Sequence, residues 1–127
     1  MTKDLICVQY PTVDVTQSVA VADITKTNVN VNNGISVKNA FANKNNSLIV
    51  CFENGDSDSY VTFCAGDAYP NALLGDLNVP VLASTTTAIQ IQDISRFENK
   101  DGSLNIDFGS DFSGSVYAIA KSVALNV

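Results

Sequence analysis

Residues 94–125 read ISRFENKDGSLNIDFGSDFSGSVYAIAKSVAL, and the fold class turns on how their apolar positions recur. Over 103–108 the alternation is strict. Leu104, Ile106 and Phe108 fall on one side, Ser103, Asn105 and Asp107 on the other, which is the period of a half-buried strand. Over 115–123 a small face (Val116, Ala118, Ala120) opposes a larger one (Tyr117, Ile119), so both faces of this strand are expected to be at least partly covered. The Gly/Ser/Asp-rich segment 109–114 turns the chain between them. Ahead of the strands, Asp93 stands where it can cap one helical turn through Ile94-Ser95-Arg96-Phe97. Lys100-Asp101-Gly102 then supplies a tight turn.

Working outward, the same period recurs. Residues 85–91 alternate at Thr87, Ile89 and Ile91. Residues 77–82 (LNVPVL) form a strand that Pro80 confines to an edge or a bulge. Residues 48–53 (LIVCFE) form the most apolar strand. After the turn cluster 54–58, residues 59–65 (SYVTFCA) return with Val61, Phe63 and Ala65 on one face, and the pair reads as a hairpin at the centre of the core. A second hairpin is expected around Asn33-Gly34, flanked by Val29 and Val31 on one side and Ile35 and Val37 on the other. Residues 40–46 form a loop or a single helical turn over Phe41. Residues 5–10 are a short strand or a docking arm, and one strand is expected within 12–27. The prediction is therefore all-β: a single compact β-sandwich or closed β-barrel of about six to nine short antiparallel strands spanning 1–127, with 1–39 contributing an N-terminal arm or edge strands.

Composition narrows the function classes. The chain has 127 residues, enough for one domain with its own core. Seven basic against thirteen acidic residues leave a net charge of −6. The basic side chains are scattered, so no nucleic-acid partner is expected. No run is long and apolar enough for a membrane span, so no membrane partner is expected either. There is no histidine, which removes Ser-His-Asp and Cys-His catalysis and Cys/His zinc sites. No phosphate-binding glycine loop occurs. The acidic turn 54–59 starts like a calcium loop, but Val61 and Asp67 stand where such a loop needs Gly and Glu. A solvated hairpin turn is the expectation there. The reading is of a non-enzyme with no catalytic residue, cofactor or metal. The start carries no secretory signal, so Cys7, Cys51 and Cys64 are expected as free thiols, although Cys51 and Cys64 lie on strands expected to be neighbours.

Two features point to contacts. Arg96 is the only arginine, and it is followed by Phe97. It either forms an ion pair within the chain, with Asp93, Asp101 or Asp107, or reaches a neighbouring subunit, and in both cases it orders a turn. The irregular segment 66–76 (GDAYPNALLGD) holds Tyr69, Leu73 and Leu74, too apolar for an idle loop. They either cap the end of the barrel or face a partner.

From position 40 onward, several stretches in succession resemble a family of small structural proteins of tailed bacteriophages. These are AFANKNNSLIVCFEN, SYVTF, LGDLNVPV, IQDISRFENKDGSLNIDF and SVYAIAKSV. Residues 1–39 do not share the likeness. The resemblance implies a compact β-domain on the virion that decorates or stabilises the head. Its partner would be the major capsid protein, and its own state a symmetric homo-oligomer, a trimer being favoured. It implies localisation at the capsid surface after synthesis in the host bacterial cytoplasm. Other readings are a tail or fibre component, or a carbohydrate-binding adhesin whose aromatic platform would draw on Tyr10, Tyr60, Tyr69 and Tyr117.

Overall fold

A computed structural model describes residues 3–9, 24–41 and 48–120. Among the described residues nine strands follow in chain order: β1 (Asp4–Gln9), β2 (Thr27–Asn28), β3 (Ile35–Lys38), β4 (Ile49–Glu53), β5 (Ser59–Phe63), β6 (Leu77–Val81), β7 (Thr86–Gln90), β8 (Leu104–Phe108) and β9 (Ser115–Ile119). A 3₁₀ helix (Pro70–Leu74) precedes β6, and one turn of α-helix, α1 (Ile94–Phe97), precedes β8. The architecture is all-β, as the alternation predicts. The strand expected within 12–27 falls largely at 10–23, outside the described residues, as do positions 121–123 of the last strand and 42–46 of the loop over Phe41. Phe41 itself is buried.

The strands form one strongly curved sheet in the order β6-β5-β8-β3-β1-β9-β4-β7, with β2 also pairing β9. It folds into two layers that share β1. Positions 4–7 of β1 pair with β3, while Val8 and Gln9 pair with β9. Both of these pairings are parallel, the exceptions to an otherwise antiparallel sheet. The side-chain amide of Gln9 extends the junction. Its Nε2 donates to the Thr25 carbonyl and its Oε1 accepts from the Thr25 N–H, both at 2.8 Å, in place of a ladder pair.

Neither expected hairpin forms. The Asn33-Gly34 turn is present, with the Asn30 carbonyl accepting from both N–H groups and Gly34 at φ 71°. Its flanks part, however: β2 joins β9 and β3 joins β1 and β8. The turn after β4 likewise carries the chain across the core. β4 lies between β7 and β9, whereas β5 lies between β6 and β8. Cys51 and Cys64 therefore belong to opposite layers and are not neighbours, and all three thiols are free.

Crossing between layers brings aromatic rings of the two layers into contact. Phe52 of one layer meets Phe63 and Phe108 of the other edge-on, with centroids 6.0 and 5.8 Å apart. Phe97 and Phe112 extend the cluster. Such pairs add about 0.5–1.5 kcal/mol each beyond their buried area. Buried Asn54 closes the end of the fold beside them. Its Nδ2 donates to the carbonyls of Ser57, Val81 and Leu82, and its Oδ1 accepts from the Gly55 and Ser113 N–H groups. Ser84 N–H donates to the Gly55 carbonyl, and Asp58 accepts from Ala83 N–H. The segment linking β6 to β7 is thereby pinned on the 54–58 turn, which brings the two ends of the sheet together.

Pro80 is in the edge strand, as expected. The Tyr60 carbonyl accepts from Gly109 N–H on the β8 side. The Tyr60–Pro80 pair is therefore one in which no β5–β6 hydrogen bonds form. The proline nitrogen points to the open edge, where no β5–β6 ladder bond is lost.

Candidate partner-binding surface

The sequence forces an irregular crossing between β5 and β6. Gly66 lies against α1, where a β-carbon would collide with the Glu98 carbonyl oxygen, so no larger residue fits. From there the backbone runs beside α1: Gly66 N–H donates to the Arg96 carbonyl at 2.9 Å, and Ala68 N–H to the Glu98 carbonyl at 3.1 Å. The chain then turns outward through Pro70, whose fixed φ suits the start of a helical turn, into the 3₁₀ helix.

At the end of that helix Leu73 is 92% exposed and Leu74 65%. Tyr69 (37%) and Leu77 (39%) flank them. The leucines do not cap the barrel; they project from it. Isolated exposed leucines are ordinary, whereas several together on a projecting turn mark a contact surface.

This projection is held from two sides. Asp93 caps α1, its Oδ1 accepting from the Arg96 N–H at 3.2 Å and from the Ser95 hydroxyl at 2.9 Å. The cap presents the Arg96 side chain to the far end of the 3₁₀ helix. There Nε donates to the Gly75 carbonyl at 3.0 Å and one terminal nitrogen to the Asp76 carbonyl at 3.2 Å. The guanidinium also lies 5.2 Å from the Phe97 ring centre, and Phe97 is buried against Phe63. Asp76 completes the brace, with its carboxylate accepting from Ala65 N–H at 2.7 Å. Gly75, at φ 84°, makes the sharp bend into β6.

Arg96 thus orders a turn, but not through an ion pair with the expected acids. Its partners are backbone carbonyls. Asp93 takes the Arg96 main-chain N–H, Asp101 accepts from Ser103, and Asp107 pairs with Lys3. All five residues singled out from the sequence (Tyr69, Leu73, Leu74, Arg96 and Phe97) come together in one buttressed projection. Leu77 and Asp76 were not foreseen. Leu77 reads as an ordinary strand position, and the Asp76 contact is to a main chain that carries no sequence signature.

Elsewhere the polar groups serve the turns. A cleft between β3 and the 99–105 segment is lined by Ser36, Asp67, Lys100, Asp101 and Asn105. Its carboxylates accept from main-chain N–H groups: Asp67 from Lys100, and Asp101 from Ser103, whose hydroxyl adds a second bond. Those bonds hold the Asp101 carboxyl below its ordinary value. Burial, and then the charge of Asp107, push the Cys64 thiol up to about 12. Burial also raises Cys51, which is hydrogen-bonded to Tyr117 across the β4–β9 pair. None of the described helices is long and apolar enough to cross a membrane. No family model matches the chain, no curated protein matches it, and no solved structure matches its fold.

Proposed function

We propose that this protein is a non-enzymatic structural component of a tailed-phage virion that binds and stabilises the capsid lattice through the projection at 69–77. The observation that carries the reading is the pair Leu73–Leu74, set outside the fold and locked by Arg96 and Asp76. A flexible loop bearing leucines would lose conformational entropy on docking; a braced one loses little, so the apolar area it buries goes into affinity. Burying such residues at junctions between major capsid protein subunits would oppose the internal pressure of packaged DNA. The thiol pushed up to about 12 and the carboxylates spent on main-chain N–H groups support a role without chemistry. The family resemblance supplies the virion context.

The test is stoichiometric co-purification with virions or expanded capsids from cells that produce the protein. Wild type is expected on the particle. A Leu73→Asp, Leu74→Asp double variant is expected to fold normally, since both side chains are exposed, and to leave the particle. A protein that co-purifies with no particle, or a double variant that binds as well as wild type, would sink the proposal. Density confined to the tail in a particle map would move the assignment there.

A further inference from the structure

β1 is fastened unlike any other described strand. Both of its neighbours, β3 and β9, run parallel to it, whereas every other described strand has an antiparallel neighbour. Parallel neighbours cannot be joined by a tight turn, so no short connection ties β1 to the slot it fills. The contacts that seat it are made by residues 3–9 themselves. Lys3 pairs with Asp107. Asp4 accepts from the Asn33 amide at 3.1 Å, and its N–H donates to the Gly34 carbonyl. Ile6 is buried in the core. At the far end the Gln9 carbonyl accepts from Ala120 N–H at 3.0 Å, and the Gln9 side chain clasps Thr25. A separate peptide is bound by strand addition in the same way, through main-chain bonds along its edges and a side chain in a pocket.

The length of chain that follows the strand is a second observation. Gln9 and Thr25 touch, yet fifteen residues (10–24) lie between them. A connection of that length can span about 50 Å, against a radius of gyration of about 14 Å for a domain of this size. It is far longer than the Gln9–Thr25 contact needs, and long enough to reach the equivalent slot of a neighbouring copy.

We infer that β1 is an exchangeable strand: two copies of the chain trade residues 3–9, each filling the β3–β9 slot of the other. The exchanged pair keeps each of the contacts that seat β1. It calls for no open surface, because the slot is occupied in both forms. Concentration decides between them. A strand on its own tether competes at an effective concentration on the order of millimolar, so chains that fold in dilute solution close on themselves and chains that fold crowded together exchange. The 69–77 projection of each copy is left free in both forms.

The register supplies the test. Exposed Cys7 lies opposite exposed Lys38 across the β1–β3 pair, and strands about 5 Å apart suit a disulfide. Cys51 is buried and the Cys64 thiol is pushed up to about 12, so neither competes. A Lys38→Cys chain, folded at about 1 μM and mildly oxidised, is expected to close on its own Cys7 and keep the mass of one chain. A Cys7→Ser, Lys38→Cys chain has the slot thiol and lacks the strand thiol. It is unfolded, mixed with unfolded wild type and refolded at about 1 mM. Oxidation is then expected to give a covalent two-chain product, with the wild-type β1 in the variant's slot. Its yield should be at least about tenfold above that from a Cys7→Ser, Thr86→Cys chain treated alike. That control thiol is exposed on β7, with β9 and β4 between it and β1. A two-chain yield no higher than the control's would overturn the inference. So would a Lys38→Cys chain that fails to close on Cys7 at low concentration, because β1 would then not lie in that register.

Discussion

Asn54 satisfies five main-chain groups at once, from three segments of the chain. Asn54→Ala leaves several of them buried without partners. The expected loss is about 2–4 kcal/mol, read as a lower urea midpoint at unchanged m-value. Cys64 gives a second test at this scale. Its thiol titrates near 12 in the folded protein against 9.0 for an unperturbed thiol. The unfolded chain therefore releases this proton first, and stability should fall as pH rises from about 9 towards 12. Cys64→Ala should flatten that decline. At pH 8 exposed Cys7 should be alkylated well before Cys64, and Asp107→Asn should speed Cys64, because the Asp107 charge is the second cause of its shift after burial. None of this was legible beforehand. Asn54 reads as one more turn residue, and neither its carbonyl partners nor the acid beside Cys64 can be found by periodicity, because both depend on which strands become neighbours.

At the scale of elements, α1 is a single turn that stands only because it is capped and packed. Its task is to aim Arg96. Arg96→Ala should cost about 1–2 kcal/mol and loosen the 3₁₀ helix. Arg96→Lys should recover less than half of that, since an ammonium cannot fork between the Gly75 and Asp76 carbonyls. If both variants melt like wild type and hold the particle equally well, the bracing role is wrong. The cap was legible: Asp93 stands before ISRF, and the bond to Arg96 N–H is there. So was the edge position of β6, because proline excludes a central place. The strands of the 94–125 stretch also fall where alternation puts them, with Leu104, Ile106, Phe108, Val116 and Ala118 all buried. The pairings were not legible. Alternation states which face is buried and says nothing of which strand lies alongside. A glycine turn reverses the chain equally well within a layer or across the core, and here Phe52 meets Phe63 and Phe108 because it crosses.

For the whole molecule, the decisive element is the least conspicuous one. β1 belongs to both layers, and its pairings with β3 and β9 are parallel, so no short turn could have announced them. Removing residues 1–9 should separate the layers along one seam and abolish cooperative unfolding, whereas trimming the exposed projection should not. A truncated chain that still melts in a single sharp transition would show that β1 is dispensable. The same strand constrains how the protein is made. A ribosome releases Asp4–Gln9 well before Ser115–Ile119, yet these two segments lie side by side in the finished fold. Throughout synthesis the nascent chain carries an apolar strand whose second neighbour does not yet exist. Native structure is expected to appear as a late, concerted event after β9 emerges rather than by stepwise growth, and in that interval the chain is most dependent on chaperones.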